Sequence, residues 1–136
     1  MSVDDALSES FWSVARRLRR LWRETLAPWD ITPSHSRALG VLLRHGTMRL
    51  SELTDHLHIA ARSTTEVVDG LQDRGLIERR QDPDDRRATL VALTEKGEQI
   101  GSAIQDARRA ETEAFFGVLS EADRAHLARI LGDLLA

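Results

Sequence analysis

The stretch "GLIERRQDPDDRRATLVALT", residues 75–94, decides the fold. Leu76, Ile77 and Arg79 begin an extended segment, and Thr89, Val91 and Leu93 alternate against Leu90 and Ala92 in a second one. Between them, Asp82 to Arg87 forms a dense knot of charge that contains Pro83. Two strands joined by a polar loop predict a β-hairpin with Arg86 and Arg87 at its tip. The rest of the chain must explain an exposed pair of arginines with acids packed beside it.

Upstream, the apolar spacing predicts four helices. Residues 5–27 carry Phe11, Val14, Ala15, Leu18, Leu21, Trp22 and Leu26 at three- and four-residue intervals, and Pro28 ends the run. Thr32 is a good N-cap with Pro33 at the first helical position, Leu39, Leu42 and Leu43 form the stripe, and Gly46 is the stop. Ser51 is expected to cap a third helix whose Leu53 and Leu57 face inward. In the fourth, Ala60, Thr64, Val67, Val68 and Leu71 share one face, Arg62, Ser63, Thr65, Glu66 and Asp69 lie away from it, and Gly75 closes it. Gly70 in mid-helix costs about 1 kcal/mol relative to alanine; the sequence gives no firm account of it, and close approach to a backbone is one reading.

Downstream, Thr94 caps a helix through Ile104 to Gly117, and Ser120 with Asp123 signals a last helix. The order is four helices, two strands and two helices. Three short helices followed by a hairpin make a winged helix-turn-helix. The fold class is therefore mainly α with a small β-hairpin wing. Residues 31–94 form the winged lobe, and residues 5–30 and 95–136 are additional helices.

A length of 136 residues is one domain. The 41% hydrophobic and 30% charged content marks a globular chain without a membrane-spanning run. The acidic "MSVDDALSES" is unlike a secretory signal, so the expected location is the cytoplasm. With no cysteine, disulfides, thiolate metal sites and thiol-based redox sensing are excluded. The net charge of −3 argues mildly against nucleic acid, and acids slightly outnumber arginines even between residues 44 and 87. Many of those acids, such as Glu52, Asp55 and Asp73, fall on helix faces that need not meet DNA.

A helix laid in the major groove reads base edges from its N-terminal residues, here Arg62, Ser63, Thr65 and Glu66. A loop carrying Arg86 and Arg87 can reach the adjacent minor groove, whose negative potential attracts arginine. Asp85 is the acid placed to hold one guanidinium in a fixed fork. A solvated helix face and a polar turn would use the same residue types. The two in succession are harder to account for that way.

"ELTDHLHIAARSTTEVVDGLQDRGLIERRQDPDDRRATLVALTEKG", residues 52–97, resembles the DNA-binding core of the MarR family of transcriptional regulators. The most specific parts are "GLQDRGLIERRQDPDDRR" and "LTEKG", and the similarity in length and helix order runs over nearly the whole chain. The resemblance implies a homodimer with interlocked terminal helices, bound to double-stranded DNA at a palindromic operator. It implies a repressor released by a small aromatic or anionic effector. It places Asp85 and Arg87 on the wing-tip Asp-x-Arg pattern, with Arg86 between them as a phosphate contact. The recognition helix matches Arg62 to Arg74, and Thr65 falls on a frequent threonine. Glu66 and Gly70 depart from positions often basic in the family. Ser51 is expected to anchor a phosphate.

Phe11, Leu18, Leu21, Leu127, Ile130, Leu131, Leu134 and Leu135 are an apolar load that a monomer could not hide easily, and they are expected to build a two-fold interface. Trp22, Arg23, Trp29 and His35 lie near the junction of the first two helices, where the family's ligands often bind, and are the expected effector pocket. The alternative is that the tryptophans pack a core. The five histidines show no ligand spacing, so no metal or cofactor is expected. There is no phosphate loop and no nucleophile elbow, and His35 beside Ser36 is not a triad, so an enzyme is not expected. The competing class is a winged-helix adaptor that binds protein rather than DNA.

Overall fold

Capping chemistry sets the helix starts in the computed structural model, which describes all 136 residues. Ser2 Oγ accepts the Asp5 N–H at 3.1 Å while the Asp5 carboxylate accepts the Ser2 N–H, and this reciprocal box opens α1, Val3–Leu26. Pro28 does not break the chain cleanly. It sits in a single 3-10 turn, Ala27–Trp29, that continues α1 and ends at Asp30 in the left-handed region, φ 53°. Thr32 then accepts the His35 N–H at 3.2 Å, Pro33 takes the first position, and α2 runs Pro33–His45 to Gly46.

The hairpin is joined by a third strand that periodicity could not reveal. Met48–Arg49, β1, has two residues and leads directly into α3, Leu50–Leu57. Arg49, not Ser51, is the N-cap of α3, and its N–H donates to Glu52 Oε1 at 3.2 Å. Ser51 lies in the first helical turn, exposed. After α4, Ala61–Asp73, come β2, Ile77–Gln81, and β3, Thr89–Leu93. The sheet is antiparallel in the order β1-β3-β2, with Met48 opposite Val91 and Arg79 opposite Val91 from the other side. Thr94 caps α5, Glu95–Phe116, by accepting the Gly97 N–H at 3.0 Å, and Ser120 caps α6, Glu121–Leu135, through the Asp123 N–H at 3.1 Å.

The core lies in the winged lobe. Leu39, Leu42, Leu53, Leu71, Leu76 and Val91 are buried, with Leu26 of α1 and Ile104 of α5 added from the flanking helices. On α4 the buried stripe is Thr64, Val67, Val68 and Leu71, as the spacing predicts, but Ala60 is an exposed cap. Gly75, at φ 73°, turns the chain from α4 into β2 in a conformation that favours glycine. Gly70 is approached by a side chain rather than a backbone: a Cβ there would lie 3.1 Å from His35 Nε2. By contrast α6 buries no residue at all. No helix is long and apolar enough to cross a membrane.

Candidate nucleic-acid interface

The N-terminal turn of α4 presents Arg62, Ser63 and Glu66 to solvent. Arg62 and Glu66 face each other at 3.8 Å, four residues apart and both well exposed. Such a pair contributes only about 0.3–0.5 kcal/mol, so Arg62 can leave it for a base or phosphate at small cost. Thr65 is half-buried, and its hydroxyl donates to the Ala61 carbonyl at 3.1 Å, leaving its oxygen as an acceptor and its methyl free. Ala60 supplies no side-chain cap, so the first N–H groups of α4 are open to an anion.

The loop between β2 and β3 is built from two acid-centred turns. Asp82 Oδ1 accepts the Asp84 N–H at 2.9 Å, and Asp85 Oδ1 accepts the Arg87 N–H at 3.0 Å. Backbone bonds from Asp82 to Ala88 and from Ala88 to Asp85 close it. Arg87 stands 94% exposed with its Nε 3.6 Å from Asp85 Oδ1, and Arg86 is exposed beside it. Asp85 and Arg87 are thus brought together as a loose ion pair, without the fork of side-chain hydrogen bonds that was expected. The strand arginines are otherwise engaged: Arg79 pairs with Asp69 and bonds Gln72, and Arg80 pairs with Glu78.

Two polar contacts on this lobe carry no sequence signal. Arg49 Nε meets Asp82 Oδ2 at 2.8 Å, joining β1 to the wing across 33 positions of chain. The N–H groups of Asp84 and Asp85 and the Arg49 guanidinium hold the Asp82 carboxyl below its usual range, against the opposing effect of burial. Asp82 in turn raises Arg49.

The second contact corrects an expectation. Arg74 ends α4 but does not point its guanidinium at a DNA face; it donates to the carbonyls of Trp29 at 2.6 Å and Asp30 at 2.5 Å. Two of the five N–H donors of this guanidinium are thereby held by main-chain acceptors. It is a clamp between α4 and the end of α1.

The expected effector residues divide. Trp22 lines a cleft of about 450 Å³ between α1, α2, α3 and α5, with the Arg108 guanidinium 4.3 Å over its ring. Arg37, Arg44 and the pair His45 and His56, whose rings stack at 4.4 Å, line the same cleft. Trp29, Arg23 and His35 are not among its walls. Trp29 packs against the core, Arg23 is exposed, and His35 abuts Gly70, where burial first and Arg74 second lower its pKa. The cationic wall formed by Arg44 and Arg108 comes from residues far apart in sequence, which is why the pattern alone missed it. No group of three or more possible metal ligands converges anywhere in the chain.

The residues expected at a dimer interface fall on α1 and α6. Phe11, Ile130, Leu134 and Leu135 are exposed, and Leu18, Leu21, Leu127 and Leu131 are half-buried. Leu21 and Leu127 also line an apolar groove between α1, α5 and α6, closed by Phe115 and Phe116.

The MarR family model matches residues 31–89 of the chain. YsmB of Bacillus subtilis, an uncharacterised HTH-type transcriptional regulator, is 33% identical over 94 residues, which cover 69% of this chain and 64% of that protein. The HTH-type transcriptional repressor MdtR of the same organism is 24% identical over 136 residues, covering 98% of this chain and 88% of its own. Among solved structures, a mutant MarR from E. coli complexed with operator DNA superposes with a TM-score of 0.83 at 26% identity, covering 96% of this chain and 94% of that one.

Proposed function

Because the chain belongs to the MarR family, we propose that it is a sequence-specific DNA-binding regulator of transcription. It acts as a homodimer on a palindromic operator, as a repressor that a small aromatic or anionic molecule releases. Residues 31–94 are the DNA-binding lobe, and residues 5–30 and 95–136 carry the dimer contacts. The site of action is the cytoplasm. The observation that carries the reading is the wing: a loop closed by two acid-centred turns lifts Arg87 almost wholly into solvent, with Asp85 3.6 Å from its Nε.

In this reading Arg87 enters the minor groove with Asp85 orienting it, and Arg86 meets a phosphate. Arg62, Ser63, Thr65 and Glu66 face base edges, and Ser51, in the first turn of α3, donates its hydroxyl to a phosphate. The likeness to an operator-bound protein supports this assignment. The clustered apolar residues of α1 and α6 support the dimer, which would set two recognition helices about 34 Å apart. The effector site is the cleft between the two parts of the chain. Trp22 offers a flat apolar wall, and Arg44 and Arg108 offer charge for an anionic group.

The test is fluorescence anisotropy with DNA from upstream of the protein's own gene, at two salt concentrations, against a scrambled duplex. Each neutralised phosphate is expected to add about 0.9 to the log–log salt slope. Preference for the native duplex by about a hundredfold or more is the expected result for a specific regulator. Equal, weak binding to both would favour a protein partner for the winged lobe instead.

A further inference from the structure

Asp82 is the one charged side chain buried in this chain, at 6% exposure. Burying a carboxylate is unfavourable unless its oxygens are satisfied. Here they are: Oδ2 takes Arg49 Nε at 2.8 Å and Oδ1 takes the Asp84 N–H at 2.9 Å. The partners matter more than the burial. The amide it holds belongs to the wing loop. The guanidinium belongs to the last residue of β1, which is also the cap of α3. A hairpin joined to its domain only through strand pairing can twist about its own axis. This one is also fastened at the root of its loop to the helix-turn-helix unit.

We propose that Asp82 and Arg49 are positioning residues for DNA recognition, fixing the direction of the wing tip relative to α3 and α4 so that Arg87 and the recognition helix engage one duplex together. The proposal rests on the DNA-binding reading above. Neither residue needs to touch DNA. Their effect passes through the backbone of residues 82–85 to Asp85, and from Asp85 to Arg87.

The sign of one substitution separates positioning from simple charge. Asp82→Asn removes a negative charge close to a polyanion, which by electrostatics alone raises DNA affinity. Positioning requires the opposite: operator affinity falls by about tenfold, equivalent to about 1.4 kcal/mol. It also requires that Asp82→Asn cost little more once Arg87→Ala has been made, because both act through the same contact. Arg49→Met is the second variant. Arg49 is 43% exposed, so its replacement opens no cavity in the apolar core, and Asp82 keeps the Asp84 N–H on its other oxygen. It must show the same non-additivity with Arg87→Ala. Anisotropy on the full-length protein, below the melting temperature of every variant, gives all the constants.

Reduced affinity that does not add to Arg87→Ala supports the pair. Unchanged or raised affinity of Asp82→Asn, or full additivity in both cycles, overturns it while leaving the DNA-binding reading intact. Failure of the unmodified protein to bind any operator fragment overturns that reading and this one with it.

Discussion

Gly97 marks the closest approach of α5 to the winged lobe. A Cβ there would collide with the Leu76 carbonyl, whose carbon would be 2.9 Å away, and neither backbone is free to shift. Gly97→Ala is therefore expected to destabilise the protein by about 3 kcal/mol, at the upper end of overpacking costs, as measured by urea denaturation. His35 offers a prediction with a sign. Burial first and Arg74 second hold its pKa below the ordinary 6.5, so the folded state prefers the neutral ring. The stabilisation is complete above the unfolded value and is lost as pH falls through the lowered folded one. Between about pH 7 and pH 5 the melting temperature of His35→Gln is expected to fall less than that of the unmodified protein. Equal slopes would remove the imidazole from the account of acid sensitivity.

At the scale of elements, α4 carries the residues proposed for base recognition on one side and is held by Arg74 at its end. Its guanidinium donates to main-chain oxygens at the end of α1. Arg74→Met keeps helix propensity and removes the clamp. The expected cost is about 1.5–3 kcal/mol of stability, the range for charge-assisted hydrogen bonds, with an unchanged salt slope of DNA binding because no phosphate contact is lost. A reduced slope would return Arg74 to the DNA face. The contrast shows what the sequence could carry. Every helix was legible, because capping residues such as Thr32, Thr94 and Ser120 and the apolar spacing act within a few positions. The wing was legible for the same reason. β1 was not, since two residues cannot show a period. The partners of Arg74, Asp82 and Trp22 were not either, because the fold alone brings them together.

The whole molecule is unevenly filled. Its core is in the winged lobe, whereas α6 has no fully buried residue and Leu134 and Leu135 stand 72% and 87% exposed. An isolated helix of this length is marginal in water, and its exposed apolar face supports the proposed homodimer. Leu131→Glu with Leu134→Glu is expected to give a monomer by sedimentation. The melting temperature would then cease to depend on protein concentration, and operator affinity would fall by at least about a hundredfold as one half-site is lost. A dimer that survives both substitutions would place the interface elsewhere.

The clamp at Arg74 has a consequence for how this protein can vary. Its acceptors are the carbonyls of Trp29 and Asp30, which every amino acid possesses. Replacing either side chain leaves the attachment standing, provided the left-handed turn at Asp30 is kept. The link between the 3-10 turn after α1 and α4 is thus written at a single codon. Apart from the packing of Trp29 on the core, the side chains of the turn before α2 can therefore change while its attachment to α4 stays as it was.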